Sequence, residues 1–206
     1  MDRVVKKTTP RLFDKAFGYI QDTLASELTW LDHVLPQAER LVKDINGKRI
    51  YTPNVFVSGN DYEQITPDTT NIGNYSFFVL HEPQETHYDV GSRVKVRAPF
   101  SLIVWLDIRS VDDGQRNIEQ VKRDILRALR LVWMREGHFH INRIYQRAEN
   151  IFKEFTLDEI DNQFLMQPYC GFRFQGEIEI EDECSYVEPT DDTDDNNDNG
   201  EGDNNG

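Results

Sequence analysis

The segment Ala98-Pro99-Phe100-Ser101-Leu102-Ile103-Val104-Trp105-Leu106-Asp107-Ile108-Arg109 restricts the fold more than any other stretch of the chain. Phe100, Leu102, Val104, Leu106 and Ile108 alternate with Ser101, Ile103, Trp105 and Asp107, a period of two that reads as a strand. Over 102–106 both alternating sets are substantially apolar. A strand with one apolar face can lie against water on the other; a strand with two belongs inside a sheet covered on both sides. The fold therefore needs a sheet with this strand near its centre and enough other chain to cover two faces.

The remaining segments supply candidates for those roles. Thr9-Pro10 offers an N-cap followed by proline at the first helical position. Leu12, Phe13, Ala16, Phe17, Ile20 and Leu24 then recur at helical spacing and predict a helix over 10–26. Trp30, Leu31, Val34 and Leu35 form an apolar approach segment. Asn46-Gly47 predicts a two-residue hairpin that sets Asp44 opposite Arg49 and Val42 opposite Tyr51. A competing arrangement makes 36–45 a short helix, opened by Pro36 and closed by Gly47; the hairpin is preferred. Residues 58–73 are loop-rich, and 74–81 (NYSFFVLH) read as a strand.

Asp112-Asp113-Gly114 breaks the long strand, and Asn117 with Gln120 can form a capping box. Ile118, Val121, Ile125, Leu129 and Val132 follow as a second helix, for which Gly137 is the expected C-cap. A strand over 138–145 and a short helical insertion over 147–162 come next. In the last strand Phe172, Phe174, Ile178 and Ile180 point one way, while Arg173, Gln175, Glu177, Glu179 and Glu181 point the other. The order predicts an α+β domain: a twisted, mainly antiparallel sheet with two main helices packed on it.

Charge divides the chain. The 206 residues carry 37 acidic and 23 basic side chains, a net charge of −14. From Glu177 onward there are 13 Asp and Glu and no Lys or Arg, leaving 24 acids against 23 bases in the first 176 residues. The expected organisation is a flexible basic arm at 1–9, one domain over 10–188 with a helical insertion at 147–166, and a disordered acidic tail at 189–206. The densest apolar run, Leu102 to Leu106, is far too short for a membrane helix, and MDRVVKKTTP has no apolar stretch behind its bases, so no membrane contact and no secretory signal are expected. Cys170 and Cys184 lie along one extended segment that cannot fold back to join them, which points to reduced thiols in a cytoplasmic setting.

Chemistry is sparse. His138-x-His140 puts two imidazoles on one strand face, with no spacing that specifies a third ligand. Asp195-x-Asn197-x-Asn199-Gly200 copies half a calcium loop, but its twelfth position is Gly206 rather than Glu. Cys170 shares parity with Phe172 and Phe174 and reads as a small buried hydrophobe. Asp158, Glu159 and Asp161 read as a solvated helix face. The expectation is a protein that is not an enzyme, with no cofactor and no metal.

The second helix has a basic face: Arg123, Arg127 and Arg130 at i, i+4 and i+7, with Lys122 and Arg116 close by. A solvated face, phosphate contact and contact with another subunit all remain open. These five are the candidate subunit-interface residues. A neutral body with an acidic end argues against a dedicated nucleic-acid binder. The basic arm (Arg3, Lys6, Lys7, Arg11, Lys15) and the acidic end suit head-to-tail contact between identical subunits, and equally suit simple solvation.

The order of elements, with APFSLIVWLDIR, IEQVKRDILRALRLVW and the final GFRFQGEIEIEDEC, resembles the tail-terminator or tail-completion family of tailed bacteriophages. KRIYTPNVFVSGNDYEQITPD and NYSFFVLHEPQE look like the version found in Bacteroides-infecting and crAss-like phages. The resemblance covers roughly residues 10–185 and is carried by topology and strand pattern rather than by signature residues. It implies a non-enzymatic virion protein, assembled in the host cytoplasm, that forms a ring, commonly hexameric, at the head–tail neck or tail. Its implied partners are copies of itself and other neck, portal or tail proteins, with packaged DNA nearby. The alternatives are a cytoplasmic binding module that docks a basic partner through its acidic tail, and a metal-dependent enzyme using His138 and His140.

Overall fold

A computed structural model describes residues 2–59, 61–67, 73–88, 93–157 and 160–183. Helix α1 (Leu12–Glu27) is followed by strands β1 (His33–Ile45), β2 (Lys48–Ser58), β3 (Asp61–Gln64), β4 (Tyr75–Leu80), β5 (Glu85–Tyr88) and β6 (Arg93–Asp107). Two 3-10 turns lead to α2 (Ile118–Leu131), then β7 (Gly137–Tyr145), the one-turn α3 (Ala148–Ile151) and β8 (Tyr169–Glu183). The strands form one eight-stranded sheet in the order β3-β2-β1-β4-β6-β8-β7, with β5 beside the first part of β6. Every pairing is antiparallel except β1 with β4. The domain is α+β with a mainly antiparallel sheet, as its element order predicts.

Strand β6 lies between β4 and β8, and its double apolar character has the expected cause. Leu102, Val104 and Leu106 enter one core, with Phe172, Phe174, Ile178 and Ile180 of β8 and Phe17, Ile20 and Leu24 of α1. Val121, Ile125 and Leu129 of α2 close that core. Ile103 and Trp105 enter a second core on the opposite face, with Tyr75, Phe77, Leu35 and Val55. Ile151, Phe152 and Phe155, from the segment after β7, cover it.

The Asn46-Gly47 hairpin forms with the predicted register, Asp44 opposite Arg49 and Val42 opposite Tyr51, and both turn residues have positive φ. The competing helix over 36–45 does not form. Strand β6 begins at Arg93, earlier than its apolar alternation indicates, because its polar first half is paired on both sides, by β5 and β8. Strands β3 and β5 are short and mostly exposed, so they carry no alternation to read.

Several expectations are corrected. Helix α1 is capped at Arg11 rather than Thr9, and Pro10 lies outside it; the Asp14 carboxylate accepts the Arg11 N–H at 3.2 Å and sets the start. Gly137 is not the C-cap of α2, a place taken by Val132, but the first residue of β7. A Cβ at Gly137 would lie 2.3 Å from the Glu179 carbonyl oxygen, so glycine there answers strand crowding rather than helix termination.

Among its described residues, the 147–166 insertion is helical only over Ala148–Ile151 and a 3-10 turn at Asn162–Leu165. Its backbone is instead tied to the sheet: Thr156 N–H donates to the Tyr51 carbonyl at 2.8 Å, and Thr156 Oγ1 accepts from Tyr51 N–H at 3.0 Å. The basic arm, expected to be flexible, is pinned over residues 3–5. Val5 is buried and its N–H donates to the Val34 carbonyl, Val34 N–H donates to the Arg3 carbonyl, and the Arg3 guanidinium donates to the Leu28 and Leu31 carbonyls. The half calcium loop, Cys184 and the 189–206 tail lie outside the described residues, as do parts of the 58–73 loop.

Candidate functional site

Helix α2 is positioned by its cap and its apolar stripe. Asn117 Oδ1 accepts from Gln120 N–H and Gln120 Oε1 from Asn117 N–H, each at 2.9 Å. Burial of Val121, Ile125, Ala128 and Leu129 against the sheet turns Arg123, Arg127 and Arg130 outward, and all three are exposed.

The five candidate residues fall into two groups. Arg116 is held by Asp112 and Asp124, and its guanidinium is stabilised in the charged form first by the Asp112 hydrogen bond and then by the charge of Asp124. Lys122 sits 2.5 Å from Glu119, whose carboxyl is held below the usual range chiefly by that lysine. The acids of the helix are thereby consumed by Arg116 and Lys122. No carboxylate among the described residues forms an ion pair with Arg123, Arg127 or Arg130. Beside them, Leu131 and Trp133 are exposed, and Trp133 lines an open groove with Leu126 and with Phe139 and Ile141 of β7.

His138 and His140 do share a face of β7, opposite Glu179 and Glu177, and His140 Nε2 lies 3.9 Å from Glu177 Oε2. Arg97 binds Glu179 at 2.8 Å, so Arg97 and Glu179 form a cross-strand charge pair. Among the described residues no group of three or more His, Cys, Asp or Glu could hold a metal ion. Cys170 is half-buried against the first core, and burial pushes its thiol up to about 12, so it is protonated and a poor nucleophile at neutral pH. Asp161 caps a 3-10 turn by accepting from Gln163 N–H; Asp158 and Glu159 lie outside the described residues.

Two features escaped the sequence reading. The first is a buried ionic cluster on the second face of the sheet. Arg173 is fully buried and forks onto Glu154, with Nη2 to Oε1 at 2.6 Å and Nη1 to Oε2. Nη1 also donates to the Ile151 carbonyl at 3.1 Å, and Nη2 to His81 Nε2 at 3.0 Å. A guanidinium can only donate, so His81 Nε2 accepts and the ring proton sits on Nδ1, facing Glu154 Oε1 at 3.8 Å. Ser101 Oγ lies 2.9 Å from the same Nε2. Burial lowers the His81 pKa to about 4, against an opposing effect of Glu154, so the ring is neutral. The cluster clamps the 147–166 segment to the sheet. Its signal in the sequence was indirect: Arg173 pairs with Ile103, so it belongs to the doubly covered region rather than to a solvated face.

The second feature is the far end of the β1–β2 hairpin. Residues 39–49 are exposed on both strands and both faces, so this part stands off the body. It carries Leu41, Val42 and Ile45 in the open, each more than 40% exposed, and the Arg40 guanidinium lies 3.9 Å over the Tyr51 ring. Among the described residues, β3 and β7 are the end strands of the sheet path. No protein-family model matches the chain, and no curated protein matches it.

Proposed function

We propose that the chain is a structural subunit of a tailed bacteriophage, forming a homo-oligomeric ring at the head–tail neck or tail as a terminator or connector. The observation that carries this reading is the projecting β1–β2 hairpin. The exposed Leu41, Val42 and Ile45 contribute no core burial to their own chain, because none of the three enters either core. These apolar side chains suit the surface of a neighbouring subunit. The end strands of the sheet path and the uncompensated arginines of α2 add further contact surface, and the resemblance of element order to tail-terminator proteins supplies the context. Neighbouring copies and other neck, portal or tail proteins are the partners on this reading.

Native mass spectrometry of the purified chain, with cryo-electron microscopy of its complexes with neck proteins, tests the proposal. A closed ring is expected, and Leu41→Asp/Val42→Asp/Ile45→Asp reduces it to monomer while the monomer stays folded. A chain that remains monomeric at high concentration and is absent from purified virions overturns it.

A further inference from the structure

We infer that the basic outer face of α2 is the seat of this chain's own acidic C-terminal segment. The inference stands independently of the ring reading. Beyond the last described residue, Glu183, the sequence runs 23 residues further with eight Asp and Glu and no base. Of the acids before it, Glu179 is paired with Arg97 and Glu181 with Lys95 across the strands, and Glu177 lies opposite His140. The acids of the segment have no opposite charge within the segment itself. On the body, Arg123, Arg127 and Arg130 are exposed, and the nearby carboxylates of Glu119, Asp112 and Asp124 are bound to Lys122 and Arg116.

Connectivity brings the two together. Glu181 N–H donates to the Glu136 carbonyl at 2.8 Å, within the connection from α2 to β7. The chain therefore leaves β8 beside the connection that follows α2, at Glu136, which is six residues after Arg130 in the sequence. Residues 184–190 can span about 25 Å when extended. Helix α2, with 14 residues, is about 21 Å long at ~1.5 Å per residue. The run Asp191-Asp192-Thr193-Asp194-Asp195 is thus within reach of Arg130, Arg127 and Arg123 in turn. Tethering places the acids at an effective concentration on the order of millimolar near the arginines, and contacts within the ~8 Å Debye length are not screened away at physiological salt. Seated there, the segment acts as a polyanion that excludes other polyanions from the face.

Arginine modification by phenylglyoxal, read residue by residue by mass spectrometry on the full chain, tests this. Asp191→Asn/Asp192→Asn/Asp194→Asn/Asp195→Asn is expected to raise modification of Arg123, Arg127 and Arg130 at least threefold. Arg97 and Arg109, paired within the fold, stay unchanged as internal controls. Added salt reproduces the effect in the unaltered chain, and tenfold dilution does not. A short single-stranded oligonucleotide should bind the Asp→Asn chain at least tenfold more tightly than the unaltered chain. Arg123→Gln/Arg127→Gln/Arg130→Gln should abolish that gain. Unchanged arginine reactivity, or equal oligonucleotide affinity of the two chains, overturns the inference. So does a gain that survives the arginine substitutions. Protection that disappears on dilution overturns it too, by assigning the seat to a neighbouring copy. The ring reading is judged separately, by oligomeric state.

Discussion

Removing the Glu154 carboxylate while leaving Arg173 in place is the sharpest test of how the second face of the sheet is held. The Arg173 side chain is fully buried, while that of Glu154 is 19% exposed, and the guanidinium's other acceptors are one carbonyl and the His81 ring. Its Nε has no hydrogen-bond partner among the described residues. Glu154→Ala strands a positive charge in the interior, where breaking one half of a buried pair costs about 3–5 kcal/mol. The partial exposure of Glu154 favours the lower end of that range. For a domain of this size each kcal/mol is worth about 2–4 °C, so Tm should fall by at least about 6 °C. Arg173→Met/Glu154→Leu removes both charges and should lie within about 2 kcal/mol of the unaltered chain, because the desolvation cost disappears with the pair. Urea unfolding of the three proteins measures these differences. A loss below about 1 kcal/mol for Glu154→Ala, or a double variant no more stable than the single one, refutes the clamp.

Stability should also fall on acidification through His81. Its folded pKa, about 4, lies below the ordinary value of 6.5, so between these values the unfolded chain binds a proton that the folded chain does not. Stability attributable to this residue is full above pH 6.5 and declines by up to about 3 kcal/mol on approach to pH 4; urea midpoints of His81→Gln and the unaltered chain, compared across this window, should converge. Gly176→Ala should destabilise the β7–β8 pairing by about 1–3 kcal/mol or more, since a Cβ there would meet the His140 carbonyl oxygen at 1.9 Å; hydrogen exchange of β7 amides reports it. Asn117→Ala should cost about 1 kcal/mol through loss of the α2 cap, read as a lower Tm. On the projecting hairpin, Leu41→Asp/Val42→Asp/Ile45→Asp should leave monomer stability within about 1 kcal/mol per site or better, while changing oligomeric state.

What could be read in advance was what is local. The Asn46-Gly47 turn specifies its register because only a few residues adopt positive φ, and Asp44 opposite Arg49 follows from that alone. The α2 capping box is likewise a contact between residues three apart. The double-sided apolar pattern of 102–106 required a covered central strand before any partner was known. Gly137 shows where such reasoning stops, since a glycine after a helix suggests a cap until β8 is seen crowding it.

The candidate arginines were visible as a helical face. Which of them stay free depended on whether Asp112, Asp124 and Glu119 could reach Arg116 and Lys122. Arg173 is the extreme case. Its neighbours along the strand are polar or aromatic in alternation, a pattern that permits a solvated face. Only the assembly of β8 beside β6, with the 147–166 segment folded over both, buried it and brought Glu154 and His81 from 19 and 92 residues away. Period, turn and cap are properties of a few adjacent residues, so the amino-acid order determined them unaided. Burial of a charge, the freedom of an arginine and the standing-off of a hairpin depend on which distant segments fill or leave the space around them, and only the tertiary structure decided those.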